Sequence, residues 1–203
     1  MASISIIVLA AGRASRFSAA GDHKLLATLD DAPIVRHAVR AAIDSSVGPV
    51  ILVTGAEAAR VEQAVAGLDV RVVYEPAFAD GMSVSLGRGL REVAPRSDAV
   101  VVALGDQPLV RPDAYRRLVD VWATTGSPIV TPRYAGATGP SHPVLFSARV
   151  FDELFAIRGD TGARDVIARD PSRVASAMLD WQAPIDVDTS ADLARLTSDR
   201  SIR

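Results

Sequence analysis

The chain has 203 residues, enough for one sizeable α/β domain or two small ones, and its 49% apolar and 23% charged residues are ordinary for a soluble globular protein. A net charge of −2 offers no electrostatic basis for a nucleic-acid partner. The absence of cysteine excludes disulfides, thiolate metal sites, iron–sulfur clusters and a cysteine nucleophile.

Strand-length apolar runs alternate with helical patterns. "SIIVL" (5–9) reads as a strand buried on both faces. Residues 34–43 read as a helix, with Val35, Val39, Ala42 and Ile43 on one stripe, and "PVILVT" (49–54) as the second strand. Residues 58–66 are helical and "VRVVY" (70–74) is a third strand. A helix over 83–93 is carried by Leu86, Leu90 and Val93, and "AVVVAL" (99–104) is the strongest strand. Residues 113–122 form a helix striped by Tyr115, Leu118, Val119 and Trp122, and a further strand starts near Ile129. A Gly- and Pro-rich loop (134–143) leads to the short strand "VLFS" and to helices over 150–156 and 161–169. "PIDVD" (184–188) is expected to be the last strand, before a helix from Ser190. The alternation predicts a Rossmann-like, three-layer α/β/α fold with a mostly parallel, mixed sheet. We read residues 1–203 as a single domain, with a lobe over about 134–180. The early apolar run is too short to span a membrane and the N-terminus lacks the flank of a secretory signal, so a cytoplasmic protein is expected.

Ligands of doubly wound sheets bind beyond the carboxyl ends of the strands. After the first strand comes "AAGRASRFSAAGDHK". Small residues let a ligand approach the backbone, and Gly12 permits a conformation that other residues avoid. Such turns present N–H groups to phosphate, with Arg13, Arg16 and Lys24 as cationic donors. A flexible turn with solvated arginines is the plainer reading. The turn is neither a Walker loop nor the dinucleotide fingerprint, whose later glycines would fall on Ala14 and Phe17.

"GDQP" follows the strongest strand, and Asp106 there offers carboxylate oxygens to Mg²⁺; a turn aspartate before proline is the alternative. In "DVDTSAD", strand alternation would put Asp186 and Asp188 on one face as a second acidic point, while Thr189 and Asp192 have the spacing of a capping box. Gly81, Ser83 and Ser85 fall where helix N-terminal N–H groups are free, although Ser83 is also placed as an ordinary N-cap. His23, His37 and His142 are scattered without metal-ligand spacing, and no Gly-x-Ser-x-Gly elbow supports a serine hydrolase.

Six motifs in order, "LAAGRASRF…K", "DGMSVSL", "GDQPLV", "SHPVLF", "GDTGAR" and "DVDTSADL", resemble the MobA-like nucleotidyltransferases, most closely the molybdenum cofactor cytidylyltransferases. The resemblance runs from about Ile4 to Leu196. It implies a fold of the nucleotide-diphospho-sugar transferase type and Mg²⁺-dependent transfer of CMP from CTP to the phosphate of molybdopterin, with pyrophosphate leaving. Partners so implied are a nucleoside triphosphate, a molybdopterin-type acceptor and a molybdenum hydroxylase client, with no nucleic acid and no membrane.

The resemblance further implies that Leu9, Ala10, Ala11, Gly12 and Arg13 form the nucleotide turn. Gly81, Ser83 and Ser85 would line the base or acceptor side. Arg16, Lys24 and Asp106 would be catalytic, and Asp106 would hold the metal with Asp186 or Asp188. Seven residues, "FSAAGDH", separate Arg16 from Lys24, a longer loop than the family usually has. Two alternatives stay open: another nucleotide or a sugar or alditol phosphate acceptor, and a non-catalytic accessory protein that hands molybdopterin to an enzyme.

Overall fold

Strand β1 (Ile4–Ala10) is the spine of the molecule, and its residues alternate between two separate cores. Ile4, Ile6, Val8 and Ala10 enter one, while Ile7 enters the other. A strand buried on both faces needs apolar residues at every position, hence the uninterrupted run in the sequence. The computed structural model describes residues 2–13, 17, 23–137, 139, 141–160 and 162–198.

After β1 comes a two-stranded hairpin, β2 (Thr28–Leu29) and β3 (Ala32–Pro33), then α1 (Ile34–Asp44), β4 (Val50–Thr54), α2 (Ala58–Ala64) and β5 (Arg71–Tyr74). Next are α3 (Met82–Val93), β6 (Ala99–Leu104), α4 (Pro112–Thr125), β7 (Ile129–Tyr134) and β8 (Val144–Ser147). The chain continues through α5 (Phe151–Ala156), α6 (Arg164–Arg169), β9 (Val174–Leu179) and α7 (Ser190–Ser198). Seven strands form one sheet in the order β5-β4-β1-β6-β8-β7-β9. β8 runs antiparallel to both neighbours, and the other pairings are parallel. The expected mixed, mostly parallel sheet is therefore present.

One core packs α1, α2 and α4 against the sheet through Val39, Val61 and Leu118. The other packs α3, α5 and α6 through Leu90, Leu154 and Val166. Helix α4 shows how sequence sets its ends. Pro112 sits at its first position, Asp113 lies in the first turn, and Gly126 closes it at φ 64°.

Two expectations are corrected. "PIDVD" is not a strand; the last strand is β9, in a segment where no element is read from the sequence. β9 is an edge strand paired with β7 alone, and only Ala177 and Leu179 of its six residues are buried, so it lacks the apolar run of a central strand. The hairpin β2–β3 also went unread. Its signal is Asp30-Asp31, both at positive φ (46° and 64°), as a two-residue hairpin turn requires. A third core of Phe17, Leu29, Ile34, Val187 and Leu196 joins this hairpin to α7.

The chain runs from β1 outward to β4 and β5, then returns to β6 on the other side of β1. That reversal leaves a crevice above the carboxyl ends of β1 and β6. The two strands end level, with Leu9 opposite Leu104, and Gly105 N–H donates to the Leu9 carbonyl at 2.9 Å. No helix among the described residues is long and apolar enough to cross a membrane.

Candidate functional site

Two cavities open over this crevice. The smaller, about 400 Å³, is lined by the turn from Leu9 to Arg13 and by Lys24, Phe78, Gly81, Ser85 and Asp106. The larger, about 560 Å³, has an apolar floor including Leu86, Val102, Val144 and Phe146, and a polar wall including Gln107, Arg133, His142, Arg164 and Asp186. Leu9, Met82, Leu104 and Asp160 line both, so the cavities adjoin.

The turn after β1 is held open by its neighbours. Ala56 N–H donates to the Ala11 carbonyl at 3.2 Å, and His23 Nε2–H donates to the Gly12 carbonyl at 2.9 Å. Burial pushes the His23 pKa down, and the hydrogen bond to the Gly12 carbonyl opposes that shift. Gly12 itself does not have a positive φ, which corrects the expectation of a special conformation. A side chain there would meet nothing within 4 Å, so Gly12 keeps clear the space above the turn. The Arg13 guanidinium lies 5.8 Å from the centre of the Phe78 ring. Arg16 lies outside the described residues.

Lys24 starts a single 3-10 turn, Lys24–Leu26, anchored by buried Leu25. Its ammonium donates to Asp106 Oδ2 at 2.5 Å and to Asp188 Oδ1 at 2.8 Å. The side chains of Lys24 and Asp106 are only 16% and 19% exposed, so solvent screens this pair far less than a surface ion pair. Burial opposes the charge on Lys24, but the two carboxylates outweigh it and hold its pKa above the ordinary lysine value. The second oxygen of Asp106, Oδ1, is buried and has no hydrogen-bond partner.

The structure separates the two C-terminal aspartates. Asp188 shares Lys24 with Asp106, whereas Asp186 Oδ1 accepts from Gln107 Nε2 at 2.5 Å and lines the larger cavity. Strand alternation does not apply, because their segment pairs with no strand. Val187 is instead fully buried in the third core, and its N–H donates to the Asp106 carbonyl at 3.0 Å. Burial, then the charges of Asp106 and Asp188, raise the Asp186 pKa against the Gln107 hydrogen bond. The capping box of α7 is present. Thr189 N–H donates to Asp192 Oδ2 at 2.8 Å, and Asp192 N–H returns to Thr189 Oγ1 at 3.2 Å.

Asp160 was missed as a candidate, although it stands in the "GDTGAR" motif. Its Oδ1 accepts the Met82 N–H at 3.2 Å, capping α3 where the two cavities adjoin. Gly81 precedes the helix at φ 116°, and Ser83 is not the cap; its N–H donates to the Gly159 carbonyl at 3.1 Å. Ser85 lines the smaller cavity, while Ser83 lines neither. His37, inside α1, binds the Leu29 carbonyl and serves the hairpin. Among the described residues no group of three or more His, Asp or Glu side chains is arranged to hold a metal ion.

The sequence pattern of the MobA-like NTP transferase domain matches residues 6–174, most of the chain. The chain belongs to the MobA-like NTP transferase family. Within solved structures it is similar to Rv0371c from Mycobacterium tuberculosis, at 34% identity and a TM-score of 0.84, covering 98% of this chain and 99% of that one. A crystal structure of Rv0371c in complex with manganese matches at a TM-score of 0.78, covering 97% and 99% of the two chains at 34% identity. The Methanothermobacter nucleotidyl transferase Mth528 is 28% identical with a TM-score of 0.81, covering 96% of each chain. Among curated proteins, the bifunctional protein GlmU of Bordetella petrii is 27% identical over 190 residues, 90% of this chain. The match spans 41% of that relative's length.

A 4-diphosphocytidyl-2C-methyl-D-erythritol synthase from Anaerococcus prevotii, at 14% identity and a TM-score of 0.77, and a CMP:2-keto-3-deoxy-manno-octonic acid synthetase, at 15% and 0.74, share the fold. What they share with this chain is the mixed, mostly parallel sheet flanked by helices. Within this MobA-like family member, the turn over residues 9–13, the Lys24 bridge and Asp160 all converge on the same crevice.

Proposed function

We propose that this MobA-like protein is a divalent-cation-dependent nucleotidyltransferase that moves CMP from CTP to the phosphate of a molybdopterin-type acceptor. The observation that carries the reading is the bridge of Lys24 to Asp106 and Asp188 beside two adjoining cavities. One cavity suits a triphosphate against a small-residue turn, and the other suits an acceptor with an apolar body and polar edges. The preference for CTP and molybdopterin rests on the order of the six motifs.

In this mechanism an acceptor phosphate oxygen attacks the α-phosphorus of the nucleotide. The bond from that phosphorus to the bridging oxygen breaks, and pyrophosphate leaves with the electron pair. The acceptor phosphate is already anionic near neutral pH and needs no base, so a site without a His or Cys dyad suffices. The backbone after β1 receives the phosphates, and Arg13 and Lys24 offset their charge. Both count most where negative charge grows on the α-phosphate and leaving group. The rest is positioning.

The residues present fit a hard cation. The unpartnered Oδ1 of Asp106 is a free carboxylate ligand, Asp188 stands across Lys24 from it, and Mg²⁺ keeps few protein ligands when phosphates supply the rest. When bound, the cation would polarise the phosphates and stabilise departing pyrophosphate. The manganese complex of Rv0371c supports a divalent ion here.

The test is pyrophosphate release from each NTP mixed with molybdopterin, sugar phosphates or alditol phosphates. Release with CTP and molybdopterin is expected. Release only with another pair would move the substrate assignment, and none with any pair would overturn the enzymatic reading.

A further inference from the structure

The Lys24 ammonium sits where two carboxylates could grip a divalent cation, within hydrogen-bond distance of both. Mg²⁺ binds carboxylate oxygens at about 2.0–2.1 Å. An ammonium held at 2.5 and 2.8 Å from those oxygens cannot stay while a divalent ion takes both. We propose that Lys24 is an internal placeholder for the divalent cation, released when a triphosphate enters the smaller cavity. The proposal rests on the reading of Asp106 and Asp188 as the cation's ligands.

Three observations carry it. Lys24, Asp106 and the open turn at Gly12 line one cavity, so a triphosphate on that turn would lie within reach of the same flexible side chain. The ammonium occupies Oδ2 of Asp106 while Oδ1 remains unpartnered, so the pair is half satisfied and ready to exchange partners. The anchors of the bridge lie elsewhere: Leu25 in the core, the Val187 N–H on the Asp106 carbonyl, and the Asp192 cap on the Asp188 N–H. Lys24 can therefore swing to phosphate without dismantling the site. Cation and nucleotide would then bind with positive coupling, each easing the other's entry, typically by ~5–150-fold. The free protein would also resist loading by metal without substrate.

The experiment titrates Mn²⁺ alone into the full chain and reads free Mn²⁺ by electron paramagnetic resonance. Wild type, Lys24→Gln and Asp106→Asn are compared without nucleotide and with non-hydrolysable CTP and GTP analogues. Glutamine still donates hydrogen bonds to the carboxylates but carries no charge, so the fold is retained. Expected is Mn²⁺ binding at least tenfold tighter in Lys24→Gln than in wild type without nucleotide. The analogue that binds should tighten Mn²⁺ more in wild type than in the variant, where only the added phosphate ligands contribute and no ammonium has to leave. Thermal melting gives a second readout: Mn²⁺ should raise the melting temperature of Lys24→Gln more than that of wild type. Equal Mn²⁺ affinity in wild type and Lys24→Gln, or equal stabilisation by Mn²⁺, overturns the placeholder. So does no loss of Mn²⁺ binding in Asp106→Asn. Tighter Mn²⁺ binding in a variant whose wild type releases no pyrophosphate supports the placeholder and overturns the enzymatic reading. Pyrophosphate release with equal Mn²⁺ affinities does the reverse.

Discussion

The backbone N–H of Val187 donates to the carbonyl of Asp106 at 3.0 Å, tying the segment before α7 to the loop after β6. That bond uses the Asp106 backbone, sets Asp188 beside Lys24, and leaves the Asp106 side chain with Lys24 as its one hydrogen-bond partner among the described residues. Asp106→Asn and Asp188→Asn should therefore remove cation-dependent transfer with little change in stability. Pyrophosphate release across a Mg²⁺ series, with denaturant melts alongside, checks both halves. Normal rates at low Mg²⁺ in both variants would return the two residues to turn and cap roles.

Lys24→Ala should lower kcat by about 10²–10³ and weaken nucleotide binding far less. A cation that meets charge developing in the transition state acts mainly on turnover. Steady-state kinetics paired with calorimetry of the nucleotide separates the two effects. An unchanged kcat would transfer the role to Arg13 or Arg16.

CTP should bind more tightly than GTP in the smaller cavity. The two bases differ by a ring, so calorimetry with each nucleotide resolves the preference. Tighter GTP binding would sink the cytidylyl assignment and leave the family and fold untouched.

Burial pushes the pKa of His142 down to about 4 from 6.5, with Asp106 opposing and Arg164 assisting. Between those values the unfolded chain binds the proton and the folded chain does not. Stability from this group is therefore present above pH 6.5 and is lost as pH falls toward about 4. The slope is about 1.4 kcal/mol per pH unit for one such group. Urea melts of wild type and His142→Gln across that range should show a flatter acid slope in the variant. His23 shifts in the same direction and remains in both proteins, so the difference isolates His142.

Gly81→Ala should cost about 1–3 kcal/mol, as strained backbone positions do. Its φ of 116° disfavours a side chain, and a Cβ would stand 2.7 Å from the Gly159 backbone. Relief would push the start of α3 away from Asp160, so KM for the nucleotide should rise as well. A variant as stable as wild type would show that this contact yields without strain.

Local patterns in the sequence determined the central strands, the helices, the small-residue turn and the aspartate at the end of β6. Each is written in adjacent residues: the apolar run of β1, the stripe of α4, the spacing of Thr189 and Asp192. Tertiary structure alone decided which C-terminal aspartate meets Lys24. Asp186 and Asp188 look alike in sequence, and burial of Val187 between them, against residues far away in the chain, turns them to different partners. It also decided that β9, exposed along its edge and weakly apolar, pairs with β7. Finally, it brought Asp160 to cap α3 and Lys24 to bridge Asp106 and Asp188. Contacts between residues 78, 82 and 164 positions apart leave no periodicity for a sequence to display; they exist only once parallel β1 and β6 lie side by side.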